Sequence, residues 1–255
     1  MTANMNMHRH FQAELETSVS VLQQQLKLEI CYIPVNTTTL VDLLDDAICK
    51  DILQDFAMRI QAKNLKCATS LFIKYWSTHW ILPFLYCQAA SLPFVKWESS
   101  ALAVELAQTW YWDRTLQLTD TTAFAFNVMS LQDIDIMFEQ FNVFFLQISK
   151  IGRIPYVLLW ENAAVRVVQF YHSLAQQNLS EDMHVRLVKQ QELLKAKSAQ
   201  SFNLLENPFV RLWNNWHPEF KTYMRKKCCF YFQLEEAGQV LCRNCPLQQK
   251  YIKRD

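Results

Sequence analysis

The sequence predicts an α+β fold that is mostly α-helical: a helical body with a small antiparallel sheet and a C-terminal cysteine-ligated hairpin module. Three observations carry that reading. Apolar residues recur at helical spacing through most of the chain. One stretch, 94–118, changes to an alternating pattern rich in aromatic and β-branched residues. Four of the eight cysteines fall in the last 35 residues, as Cys228-Cys229 and Cys242-x-x-Cys245. The chain has 255 residues, is 51% apolar and contains 17 Phe and 8 Trp, which is enough for a substantial aromatic core. On this reading it divides into a substrate-handling body, 1–220, and a metal-binding module, 221–255.

Residues 5–29 read as a helix with Phe11, Leu15, Val19 and Leu22 on one face. His8 and His10 stand at its start and read as an exposed pair rather than as ligands. After a link containing Pro34, Thr39-x-x-Asp42 has the form of a capping box. It opens a helical stretch to about Ala62, with a break expected near Lys50. Residues 65–90 form the next helix, which Pro83 is expected to kink or end because it has no N–H to donate. Tyr75, Trp76, His79 and Trp80 read first as core packing. Their second reading is one wall of a ligand pocket, with Lys74 or His79 at its rim.

Within 94–118, two or three short antiparallel strands are expected, with Trp110, Tyr111 and Trp112 near a turn. Ser130-x-x-Asp133 starts a helix to about Lys150, which Gly152 is expected to cap. Pro155 suits an early position in a helix over 155–177. Arg153 at the junction is a candidate anion contact, an ordinary surface arginine being the simpler reading. Ser180 opens a polar helix whose acids come early and bases late, the order that its dipole favours. A short helix near 209–216 then ends at His217-Pro218.

In the tail, Cys228–Leu234 alternates like a strand. Glu236-Ala237-Gly238 offers a turn and Val240-Leu241 a return strand. Such a hairpin brings Cys228 and Cys229 beside Cys242 and Cys245. Neighbouring thiolates repel and raise each other's pKa, a cost that a shared metal removes. Four thiolates suit either zinc or an iron–sulfur cluster. Adjacent residues of a strand face opposite ways, so the vicinal pair can reach one centre only if the backbone bends there. A cluster with two irons has ligand positions on both metals and relaxes that demand, which places it slightly ahead of zinc.

Charge points the same way. The last 35 residues carry a net +5 and the remainder −4. Arg225, Lys226 and Lys227 directly precede the first cysteine, where cations favour the reduced, more anionic state of a cluster. They also attract anionic partners. With Arg211 they are the candidate substrate contacts, charge compensation of the cluster being the competing role.

This tail resembles that of the ferric-siderophore reductase (FhuF-like) family, whose members end in a basic stretch, a Cys-Cys pair, a loop and Cys-x-x-Cys-Pro. Upstream, Asn207-Pro208-Phe209, the segment Leu159-Trp160-Glu161-Asn162-Ala163-Ala164, and Ser70 to Pro83 with Lys74 resemble parts of the same family. The similarity runs from about residue 65 to the end, and the loop between the cysteine pairs is slightly longer than usual. The resemblance implies a [2Fe-2S] cluster on Cys228, Cys229, Cys242 and Cys245. It also implies an oxidoreductase that passes one electron to Fe(III) held by a siderophore, releasing Fe(II). A zinc-stapled binding protein without redox activity is the alternative.

Only two glycines occur, Gly152 and Gly238. That excludes the glycine-rich turns of dinucleotide and P-loop sites, so reducing equivalents are expected from a separate electron donor. No long apolar run predicts a membrane span, no nucleic-acid partner is indicated, and the N-terminus lacks the apolar core of a signal peptide. A cytoplasmic location is therefore expected, in keeping with free thiols.

Overall fold

In a computed structural model, residues 2–33, 37–106, 114–119, 126–235, 237 and 240–248 are described, with backbone alone for 2–12, 126 and 127. Trp110, Tyr111 and Trp112, the turn residues Glu236 and Gly238, and the side chains of His8 and His10 lie outside this description. The described part is mostly helical. Its helices are α1 (Thr2–Leu26), α2 (Asp46–Arg59), α3 (Leu65–Ala90), α4 (Leu131–Gly152), α5 (Tyr156–Leu174), α6 (Glu181–Ala196) and α7 (Pro208–Trp213). Six short strands, β1 (Glu29–Ile33), β2 (Phe94–Val95), β3 (Thr115–Thr119), β4 (Phe126–Asn127), β5 (Trp216–His217) and β6 (Thr222–Tyr223), form three two-stranded sheets.

The fold is built around α3. Between Cys67 and Ala89 only Thr78 and Leu82 are not buried, and a helix apolar on every side belongs inside the core. It starts on Asn64, whose side chain accepts from Cys67 N at 2.9 Å. It packs against α1, α2, α4, α5 and α6. The helix has the expected bounds, and of the two effects expected of Pro83 it does not show the end. Burial of the helix on these neighbours outweighs the single hydrogen bond that proline removes. The carbonyl four residues back, at His79, is the one deprived of its helical donor.

The other helix starts follow from their side chains. Ser130 and Asp133 form the expected capping box, and Ser180 caps α6 through Met183 N. Thr39 and Asp42 do bond each other, but they open only a 3-10 turn, Asp42–Leu44. Asp45 caps α2, which runs unbroken past Lys50. Pro155 occupies the N-cap of α5 rather than its first turn. The left-handed cap after α4 is Arg153, at φ 50°, not Gly152.

Gly152 has a different task. A Cβ there would lie 2.3 Å from Thr69 Oγ1, so the end of α4 can approach Thr69 of α3 this closely only because position 152 has no side chain. Gly152→Ala is expected to destabilise the fold by about 1–3 kcal/mol through overpacking, with a matching loss in melting temperature.

The antiparallel pairing expected within 94–118 is present in part: Leu102 bridges antiparallel to Leu118, with Ala103 N donating to Gln117 O at 3.0 Å and Thr119 N to Ala101 O at 2.9 Å, while the longer ladders reach outside the stretch. β3 pairs in parallel with β1, Glu29 opposite Thr115 and Ile33 opposite Thr119, and β2 pairs antiparallel with β4. The alternation Thr-Leu-Gln-Leu-Thr buries Leu116 and Leu118, as a half-buried strand requires. Its longer ladder, however, is with a distant segment, β1.

A second core layer surrounds Trp160 of α5, whose ring lies 4.9 Å from both Phe145 and Phe202 and 6.3 Å from Phe209. Asn207 directs the chain into it. Its side chain caps α7 by accepting from Phe209 N and Val210 N, and donates to Leu194 O and Lys197 O. Pro208 then fills the first helical position, where no N–H is needed. The helix stops at Trp213, and Trp216 and His217 instead form β5 against β6. No helix among the described residues is long and apolar enough to cross a membrane.

Candidate metal centre and adjoining cavity

The four tail cysteines come together without the expected cysteine hairpin. Tyr231–Gln233 is a 3-10 turn, and Leu234 bridges to Ala62 at the end of α2 rather than to a return strand. The closing device is Asn244, between Cys242 and Cys245. Its carbonyl accepts from Arg225 N at 3.2 Å, and its side chain donates to Thr222 Oγ1 at 2.8 Å and Tyr223 O at 2.7 Å. Cys245 N donates to Cys242 O at 2.9 Å, tightening the Cys-x-x-Cys turn. Directly after the vicinal pair the backbone turns at Phe230, which adopts φ 64°, a left-handed conformation that costs a non-glycine residue about 1–2 kcal/mol.

The sulfurs are linked in a row, Cys229 to Cys242, Cys242 to Cys245 and Cys245 to Cys228. Cys229 Sγ and Cys242 Sγ are 3.6 Å apart, and Cys228 interacts with Cys245. Two thiolates on one tetrahedral metal, at metal–sulfur distances of about 2.3 Å, stand about 3.7 Å apart. The first pair therefore already has ligand spacing. Among the described residues no group of three or more His, Cys, Asp or Glu side chains is gathered around a point as a single-ion site.

Cations address the sulfurs directly. Arg225, 1% exposed, donates through Nη2 to Cys242 Sγ at 3.0 Å and through Nη1 to Asn162 Oδ1. Lys74 Nζ on α3 donates to Cys229 Sγ at 3.4 Å and lies 4.8 Å above the Tyr231 ring. Contact with Cys242, then burial, pushes the Cys229 thiol up to about 12, against the pull of Arg225 and Lys74. Contact with Cys245 holds the Cys228 thiol below its ordinary value. Burial draws Lys74 down, although Cys229 and Cys242 oppose it. For Arg225, burial acts downward but the thiolates outweigh it, leaving its pKa raised. Cys245 is raised as well, by contact with Cys228, so Arg225 and Lys74 favour anionic sulfur while the neighbouring thiols and burial oppose it.

Glu161 on α5, 2% exposed, holds the segment in front of the cysteines. Its carboxylate accepts from Lys226 N, from Lys227 N at 3.0 Å and from Arg211 Nη2 at 3.2 Å. Even with these donors, burial pushes its carboxyl above the ordinary value. The neighbouring Asn162 is fully buried and donates to Ser70 O and Oγ on α3 at 2.8 and 2.9 Å. Of the four basic candidates, Arg225 is sealed against sulfur and Arg211 is engaged with Glu161. Lys226 and Lys227 point outward, exposed. Arg153 is likewise exposed at the α4–α5 corner.

Comparison with protein-family models and with curated proteins gave no match.

Beside the sulfurs opens a cavity of about 650 Å³ between the end of α1, α3 and α5. Cys242, Lys74 and Tyr231 form its sulfur-facing wall, and Arg114, Gln25 and Gln177 stand around it on exposed positions. His79 lines it, as one reading of the α3 aromatics anticipates, and so does Arg166. Trp76 and Trp80 are instead core residues, with rings stacked at 5.4 Å. Spacing alone gave no role to Glu161, Asn162 or Arg166. The available signal was polar residues inside the apolar run Leu158–Val168, which are unusual on a buried helix unless they are paired.

Proposed function

We propose that this protein is an oxidoreductase that reduces Fe(III) in a chelate of the siderophore type, with a two-iron cluster on Cys228, Cys229, Cys242 and Cys245. The observation that carries the reading is the cross-segment contact of Cys229 with Cys242 and of Cys228 with Cys245, with Arg225 and Lys74 donating to sulfur, next to a cavity walled by Cys242. Adjacent cysteines reach a centre with two metals more readily than one ion. A cluster of this type supplies one electron at a time. The resemblance of the tail and of the Asn207-Pro208-Phe209 segment to ferric-siderophore reductases supports the same assignment.

The chain's own residues then have definable tasks. Arg225 and Lys74 donate N–H to sulfur and favour the more negative redox state. Phe230, Tyr231 and the buried Met224 limit water near the thiols. Glu161 and Asn162 fix the basic segment, and so the position of Cys228 and Cys229. The chelate is held in the cavity. Hard oxygen chelators bind Fe(III) far more tightly than Fe(II), so reduction loosens the complex. The electron donor is a separate partner.

Metal analysis of protein purified without oxygen tests the assignment. Iron and acid-labile sulfide in equal amounts, with a visible spectrum that bleaches on dithionite, are expected. Stoichiometric zinc in a colourless protein contradicts it. Lys74→Met is expected to keep the metal but lower the reduction potential by roughly 60 mV, the one-electron equivalent of about 1.4 kcal/mol for a lost charge-assisted contact. A redox titration followed in the visible reads this directly.

A further inference from the structure

The cavity has a one-sided chemistry. Among the described residues three cationic side chains line it, Lys74, Arg114 and Arg166, and no carboxylate does. His79 is 2% exposed and lines the same space, yet neither of its ring nitrogens has a hydrogen-bond partner among the described residues. A buried imidazole left unpaired costs about 1–3 kcal/mol unless something satisfies it. Burial, reinforced by Arg114 and Arg166, holds its pKa down to about 3, so it enters any neutral-pH complex uncharged, with one donor and one acceptor. Tyr75 and Phe170 give the walls apolar area. The volume falls in the range that encloses a drug-sized ligand.

We propose that this cavity takes ferric chelates of net negative charge, built from catecholate or carboxylate arms, with Arg114 and Arg166 facing the anionic oxygens and His79 hydrogen-bonding one of them. It deepens the reductase reading by naming the class of substrate, and it rests on that reading for the role of the bound iron. A cationic chelate is disfavoured, because a cleft lined by one sign of charge focuses its field on the occupant.

Binding of gallium(III) chelates, which cannot be reduced under these conditions, separates occupancy from electron transfer. Calorimetry on the metal-loaded protein would compare gallium(III) tris-catecholate and gallium(III) citrate with the cationic gallium(III) complex of desferrioxamine B. The anionic complexes are expected to bind at least about tenfold more tightly, with the margin shrinking at high salt. Arg114→Glu is expected to weaken the anionic complexes by about tenfold or more; Arg114 is exposed and outside the core, so the fold should persist. His79→Phe, which keeps the ring and removes both nitrogens, is expected to weaken them about fivefold. Equal or tighter binding of the cationic complex overturns the proposal, as does a lack of effect of Arg114→Glu or of any binding at all. If anionic gallium complexes bind but their iron(III) counterparts are never reduced, the substrate class stands and the reductase reading fails. If cationic complexes are bound and reduced, the reverse holds.

Discussion

Cys229→Ser is expected to lose metal binding by several orders of magnitude while the helical body stays folded. Cys229 is fully buried and supplies half of the sulfur pair that already has ligand spacing. Serine offers a harder, far less acidic donor at that position. Because binding free energy of a thiolate site appears in its affinity and in the stability of the segments that it joins, the tail should become sensitive to proteolysis. Iron content and far-ultraviolet circular dichroism read the two parts separately. Cys31→Ser provides the comparison, since Cys31 is exposed on β1, and should retain full metal content.

The second large effect is expected at Glu161. In Glu161→Gln the charge opposite Arg211 vanishes, and an amide NH₂ must face backbone N–H donors of Lys226 or Lys227. Breaking a buried charge network in this way costs about 3 kcal/mol or more, which for a chain of this size lowers the melting temperature by about 6–12 °C. Because those two residues lead into Cys228, a chelator should also strip the metal faster. Glu206→Gln is the control. Glu206 contacts the same Arg211 and Lys226 at 3.7 and 3.6 Å, but from the surface, where ion pairs contribute little. Equal effects of the two substitutions would show that Glu161 acts only as one more surface-like charge.

These residues also mark how far the sequence could be read. Ser130 with Asp133, Ser180 and Asn207 announce helix starts because a cap is a local interaction. The four cysteines are also local, and a left-handed turn at Phe230 follows the vicinal pair. The parallel pairing of β3 with β1 is invisible in either strand, since both alternate and either could pair with any neighbour. Pro83 leaves a kink and an end both open for a related reason: its cost is local, whereas the burial that carries the helix past it comes from helices elsewhere in the chain. Gly152 reads as a cap by position, yet what selects glycine there is the side chain of Thr69 on another helix. The site divides in the same way. Its ligands stand in the sequence as a motif, whereas the contacts of Lys74, Glu161 and Asn162 with the tail exist only once α3 and α5 have packed together.

The most direct test of the whole account is a single mixing experiment. Dithionite-reduced protein, freed of excess reductant, would be mixed without oxygen with a ferric chelate, while the visible absorbance and the Fe(II) captured by a chromogenic trap are followed together. The expected result is that colour returns as Fe(II) appears, with one Fe(II) released per electron lost by the protein. A spectrum unmoved by catecholate, carboxylate and hydroxamate chelates alike, with no Fe(II) formed, would contradict the account.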